Sequence, residues 1–423
     1  MNKKIFTICC IAIVFSLVMA GCNNAKSDKN TKKGTPLALI HEGTVTGFVD
    51  TEGSLVIDLS DYINAIPFSE GLAAVKNGES KWGFIDTKGK EVIPCVFDCD
   101  DEGNECREAL MFHDGYANMA GLGLIDRKGN IIIQNSYIID WNNEIAVVGN
   151  DKYFSQCILL DITGKQISET VYQILRICDN GMVLCKTGEG WGYLDSKGNT
   201  VVEPQYKEAY FYEDGLALVI DQNNKAMLID EKGNVKKNLD YCPKFIGRSD
   251  VNYFREGFAV VDNEEELWGA QGRCMYVNNQ FEPQFGMANY DGSPFHDGYA
   301  AVQDQDSKLW GFIDNKGNCM VEPRYKGIEV KVCDDGYGIV KDYSHVNVVN
   351  IKKKSDIQLV SAWNIVANRM WVKVSNVRDA NGYPQTLYGI ATPDGQEIMP
   401  LSQYSVEDFH YTESDNSDGI YNK

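Results

Sequence analysis

Apolar residues at helical spacing are nearly absent from this sequence. That excludes a helical bundle and any fold whose core is made by amphipathic helices. Histidine is scarce, with 5 in 423 residues. There is no nucleophile elbow, no His-Glu-x-x-His and no phosphate-cradling glycine loop. Positive charge is also short: 40 Lys and Arg stand against 60 Asp and Glu, a formal net charge of −20. Such a balance argues against nucleic acid and against a surface pressed onto anionic lipid, and mainly indicates solubility.

What the sequence does contain is one stretch copied many times. Lys81-Trp82-Gly83-Phe84-Ile85-Asp86-Thr87-Lys88-Gly89 returns almost unchanged as Trp191-Gly192-Tyr193-Leu194-Asp195-Ser196-Lys197-Gly198 and Trp310-Gly311-Phe312-Ile313-Asp314-Asn315-Lys316-Gly317. A second signature precedes it, an aromatic, a polar pair and Gly before a short apolar strand. Examples are Phe68-Ser69-Glu70-Gly71-Leu72, Phe112-His113-Asp114-Gly115-Tyr116 and Phe295-His296-Asp297-Gly298-Tyr299. Asp50, Asp86, Asp126, Asp161, Asp195 and Asp230 mark successive units about 35 residues apart, and such a period sets the fold before any other feature. With Asn278, Asp314, Asn350 and Thr392 in the same place, about ten units are expected.

Each unit reads as a three-strand meander with room for a short fourth strand. Leu72 to Val75 and Trp82 to Asp86 are the first two strands, and Glu91 to Pro94 the third. Asp86 and Gly89 suit a type I turn, where Asp caps the backbone and Gly accepts positive φ. Pro94, Pro204 and Pro323 end the third strand or place it at a sheet edge. Trp82 and Phe84 should face one way and Ile85 the other, so each sheet is packed on both faces. Gly83 leaves space beside it, expected to take an aromatic ring from an adjacent strand.

These units resemble the WG repeats, a KWG-type family of bacterial β repeats, over essentially all of residues 37–410. The resemblance is closest around Trp82, Trp191 and Trp310 and weakest around Asp161, Asn350 and Thr392; Thr46, Leu122 and Tyr388 stand where the tryptophan belongs. It implies a repetitive all-β architecture and no catalytic residue. Trp82, Gly83, Asp86, Gly89, Trp191, Gly192, Asp195, Gly198, Trp310, Gly311, Asp314 and Gly317 are then structural. A propeller-like ring is favoured, with an N-terminal strand at Pro36–Ile40 completing the last unit; the alternatives are an open β-solenoid or two smaller rings. The interruptions at 99–110, 239–252, 263–273 and 375–386 are read as rim loops that carry binding specificity.

Residues 1–21 form a secretory leader, with Lys3 and Lys4 before an apolar run too short to span a membrane. Leu17-Val18-Met19-Ala20-Gly21-Cys22 resembles the lipobox of bacterial lipoproteins, which implies lipid on Cys22, with simple secretion as the alternative. Residues 22–35 then form a polar tether, 36–411 the array and 412–423 a polar tail. Thirteen cysteines occur, and those beyond Cys22 mostly stand where other units carry small apolar residues, so they read as buried hydrophobes; Cys178 and Cys185 are close enough in sequence to pair across a hairpin.

The candidates for chemistry are few. Asp98, Asp100 and Glu102 open like a calcium loop, but Ala109 stands where the bidentate Glu belongs, and Cys95, Cys99, Cys106 and His113 match no zinc spacing. A solvated acidic loop is the reading adopted, with no metal and no cofactor. His113 and His296 share a repeat position with Ser69, Glu213 and Arg255, a variety that suggests an exposed turn. Trp141, Trp363 and Trp371 lie outside the motif and would serve as contacts if exposed. The expectation is a non-enzymatic lipoprotein of the bacterial cell envelope, joined to the membrane through its N-terminal lipid alone. It would be a scaffold for a protein or cell-wall partner, and not for nucleic acid; the alternatives are a carbohydrate-binding surface protein using rim aromatics and a hydrolase.

Overall fold

A computed structural model describes residues 34–411 apart from 43, 100–109, 135–136, 151–155, 169, 246–253, 263–273, 288–289, 363, 379–383 and 403–404. Cys22, the leader, most of the tether, the tail, Asp100, Glu102, Trp363 and most of the interrupting loops lie outside the described residues. What is described is all-β, in ten small antiparallel sheets. Sheets 2 to 10 are meanders in chain order, built from residues 62–97, 116–133, 138–161, 174–206, 208–238, 259–287, 290–325, 329–359 and 370–402. Six sheets have four strands and four have three. The strand added to the expected three comes first, as Tyr62–Ala65 does in sheet 2.

Sheet 1 is joined from both ends of the chain. Its spatial order is Leu55–Asp58, Thr44–Val49, Pro36–Glu42 and Ser405–Tyr411. The last strand therefore completes the first sheet, the reverse of the expected arrangement in which the first strand completes the last unit. The reason is that Thr44–Val49 carries a repeat motif of its own, ending at Asp50, and claims Pro36–Glu42 as its partner. Only the place of the leading strand is left to fill.

Among the described residues the chain divides by its contacts into two compact units, one within 34–91 and 290–411, the other within 92–287. The first holds sheets 8, 9, 10, 1 and 2 up to the start of the last strand of sheet 2, and the second holds sheets 3 to 7. Inside each unit, neighbouring sheets share a core. Tyr193 of sheet 5 packs with Tyr212, Val219 and Ile229 of sheet 6, and Trp191 leans on the same cluster. Leu194, one residue on, packs with Val147 and Leu159 of sheet 4. The alternation expected of Trp-Gly-Phe-Ile is thus realised, and it makes each sheet a filling between two others. In the first unit Phe312 faces sheet 9, and Phe48 meets Phe68 across sheets 1 and 2 at 4.7 Å.

The glycine of the Trp-Gly pair has a different job from the one expected. A Cβ on Gly192 would meet Val202 O and come within 2.7 Å of Pro204 N; on Gly311 it would meet Val321 O and come within 2.7 Å of Pro323 N. The space is filled by the backbone of the edge strand, not by a ring. Register slips on both sides of Tyr193 and around Phe312, so the proline-bearing strand bulges over the glycine. The prolines do not end these strands, which run on to Phe97, Tyr206 and Tyr325. They sit on the edge, where a missing N–H breaks no ladder and discourages pairing with another chain. The glycine that does yield to a ring is Gly338, which lies against Phe312.

The Asp turn closes as expected. Asp86 Oδ1 accepts the N–H groups of Lys88 and Lys90 at 2.9 and 3.0 Å, while Gly89, at φ +77°, donates to the Asp86 carbonyl. Asn77 and Asn278 make the same pair of bonds, so a neutral amide oxygen can also close the turn. Burial pulls the Asp195 carboxyl upward, but the Asn199 side chain and the N–H groups of Asn199 and Lys197 outweigh it and hold the group below its usual range. The carboxylate form therefore stabilises the fold above the unfolded carboxylate value near pH 4, and that contribution disappears as pH falls through the lower folded value. Asp195→Asn is expected to lower the thermal midpoint by about 1–3 °C at pH 7, given the exposure of the site. Wild type and variant should converge once pH falls below the lowered folded value; a difference that stays constant across the titration would show that charge has no part in the turn.

Candidate functional site

The second signature forms a two-residue hairpin with positive φ at both central positions, the type I′ turn that Asp-Gly and Asn-Gly favour. Glu70-Gly71, Asp114-Gly115, Asp214-Gly215, Glu256-Gly257, Asp297-Gly298 and Asp335-Gly336 all adopt it, as do Ala367-Asn368. In the first unit these hairpins are tied in a row. Asp297 Oδ2 accepts the Gly336 N–H at 2.7 Å, and Asp335 Oδ2 accepts the Asn368 N–H at 3.0 Å. Arg369 then reaches sheet 1, donating to Thr51 O and to Glu52 Oε1.

The residue before each hairpin is not the exposed turn position expected. Ser69 is fully buried and His113 is 8% exposed. The side chain there points at the neighbouring sheet. The His113 ring lies edge-on to Trp141 at 5.9 Å, and the His113 carbonyl accepts the Trp141 indole N–H at 3.0 Å. His296 Nε2 lies 2.9 Å from Asp334 Oδ1 of sheet 9. Trp141 is therefore a core residue and not a contact residue, and Trp371 is half-buried beside Tyr388. Cys178 and Cys185 are both free and sit in different cores on opposite faces of sheet 5, which rules out the hairpin pairing. Burial pushes the Cys185 thiol up to about 12, so it is inert. Asp98 is exposed, and among the described residues no group of three or more His, Cys, Asp or Glu is placed to hold a metal.

One place in the second unit breaks the repeat's own rules three times. The first strand of sheet 6, Glu208–Glu213, slips register between Ala209 and Tyr212, so Tyr210 and Phe211 form a bulge. In sheet 7, Phe281 holds the turn position that Gly89 and Gly198 hold elsewhere, at φ +56°, a region an aromatic residue enters only at a cost in strain. The Glu213 carboxyl is pushed above its usual range by burial and then by Asp214 and Asp179, against the opposing pull of Arg255.

These departures meet at a solvent-open notch of about 330 Å³, counted out to its mouth. Phe281 packs edge-to-face against Phe245 and Phe254 at 6.0 and 5.6 Å, and Tyr210 against Phe245 at 5.4 Å. Tyr241 donates its hydroxyl to the Phe281 carbonyl at 3.3 Å and braces the strained turn. Asn279 donates to Asp214 Oδ2 at the rim. The one signal in the sequence that could have found this notch is Phe281 at a glycine position within a turn that otherwise keeps its Asn.

The chain is an all-β repeat protein whose sheets are built by one motif. Four of its segments, residues 47–79, 82–98, 191–225 and 310–342, match the WG containing repeat. Among the curated proteins none matches it. Solved structures with loosely similar folds include a eukaryotic initiation factor, at 10% identity and TM-score 0.48, covering 90% of this chain and 99% of that one. BamB from Moraxella catarrhalis is similar at 14% identity and TM-score 0.30, over 77% of this chain and 95% of that one. The C-terminal WD40 domain of Sif2 is similar at 12% and 0.29, over 63% and 76%. Likeness of that depth transfers no ligand, partner or activity.

Proposed function

We propose that this chain is a non-catalytic binding platform of the bacterial cell envelope, held to a membrane by lipid on Cys22 and turned toward a protein or cell-wall partner. The observation that carries the reading is the constancy of the hairpins beside the variety of what they present. One backbone turn recurs, and the place before it takes Ser69 and His113, which are buried, or Glu213, Arg255, His296 and Asp334, which are half-buried and differ in charge. The motif's Trp, Phe, Ile and Asp are absorbed by packing and turn closure. The side chains around the hairpins are thus left to differ from unit to unit without unfolding the array. The leader and the small-residue run before Cys22 support export and lipidation.

The test is cross-linking of the lipidated protein in its own envelope, followed by identification of what is held. One recurrent protein, lost when the hairpins of sheets 6 and 7 are exchanged for that of sheet 2, is the expected result. Recovery of wall glycan alone would favour the carbohydrate alternative, and recovery of nothing would remove the platform reading.

A further inference from the structure

The notch of sheets 6 and 7 deepens the platform reading and rests on it. Its walls are aromatic and its rim is acidic, with Glu213 and Asp214 on one hairpin. Ring faces and carboxylates both attract positive charge, and a desolvated setting strengthens each. Little of the notch's volume is enclosed, and most of it is mouth open to solvent. A compact cationic head on a flexible stem can meet the rings and carboxylates of such a mouth without having to be enclosed. We propose that the notch receives the alkylammonium head of a partner's side chain, seated against the half-buried Phe254 with Glu213 as its counter-charge.

Two observations support that class over an apolar plug. The Glu213 carboxylate is costly where it lies, because burial and two neighbouring acids oppose its charge and Arg255 offsets them only in part. A second cation relieves that cost, and an apolar group increases it. The notch is also preformed at the expense of backbone strain. Phe281 keeps an aromatic ring where glycine would close the turn without penalty. Turn closure alone does not call for that ring, since the equivalent turns in sheets 2, 5 and 8 close with Gly89, Gly198 and Gly317; the ring is instead buried in the core shared by sheets 6 and 7, which holds the strained turn and the notch above it in place.

The experiment is saturation-transfer NMR on the full chain, with tetramethylammonium as the probe and tert-butanol as its neutral counterpart, at fixed ionic strength. Expected is saturable transfer to the cation in the millimolar range, at least fivefold weaker in Glu213→Gln and in Phe254→Leu and unchanged in Glu70→Gln. Thermal midpoints measured alongside separate loss of binding from loss of fold. Equal transfer to tert-butanol, saturable transfer to methyl glucoside but not to the cation, or indifference to Glu213→Gln each overturns the proposal. Failure here with a recurrent cross-linked partner removes the notch ligand and leaves the platform; loss of both removes the platform.

Discussion

Gly192→Ala is expected to cost about 3 kcal/mol and lower the thermal midpoint by about 6–12 °C, far more than one methyl group usually does. The added Cβ would fall 2.7 Å from Pro204 N and 2.8 Å from Glu203 C, and both are backbone atoms with no rotamer to escape into. The edge strand Thr200–Tyr206 has to lift off the Trp191 strand, loosening Val202 from the core it shares with sheet 6. Gly188 in the same sheet has nothing within 4 Å of its Cβ position, so Gly188→Ala is the control, expected within about 0.5 kcal/mol of wild type. Equal midpoints for the two variants would remove the close approach as the reason for the Trp-Gly pair.

Deleting residues 403–423 is expected to have the larger effect. Ser405–Tyr411 pairs with Pro36–Glu42 at Pro36, Leu37, Ala38, Ile40 and His41. At about 1 kcal/mol for each paired position the loss is on the order of 5 kcal/mol, before any apolar exposure is counted. Ala38, Leu39 and Ile40 are buried, so the deletion also uncovers an apolar strand with a bare edge, and aggregation should follow. A synthetic Ser405–Tyr411 peptide added to the truncated chain should restore part of the midpoint. A truncated chain that melts like the intact one, or that ignores the peptide, would show that sheet 1 is complete without its last strand.

Much of the array was legible because the motif serves the same physical need in every unit. The period announced ten sheets, the two-residue alternation of Trp-Gly-Phe-Ile announced two packed faces, and Asp with Gly announced the turn. Where the reading went astray, a side chain's surroundings depended on a neighbouring unit. Gly83 looked like a gap for a ring because a sequence does not show that the edge strand bulges across the equivalent glycines, Gly192 and Gly311. His113 looked exposed because its variable position suggested a solvent site, whereas the next sheet brings Trp141 onto it. Cys178 and Cys185 looked close because seven positions separate them along the chain, though the sheet between them sends their thiols to opposite faces.

The candidate site was less legible still. Glu213 is one acid among many in an acidic chain; Phe211 lies within a segment that matches the repeat, whereas Phe245 and Phe254 lie outside the matched segments. Nothing local joins them. By itself the sequence determined the all-β class, the number of units and the turn chemistry, since each depends on a pattern within about 35 residues. The tertiary structure alone decided that the last strand closes the first sheet and that three irregularities meet at one aromatic notch. Both join residues far apart in the chain, and the bulges and strained turns that carry them leave no periodic trace.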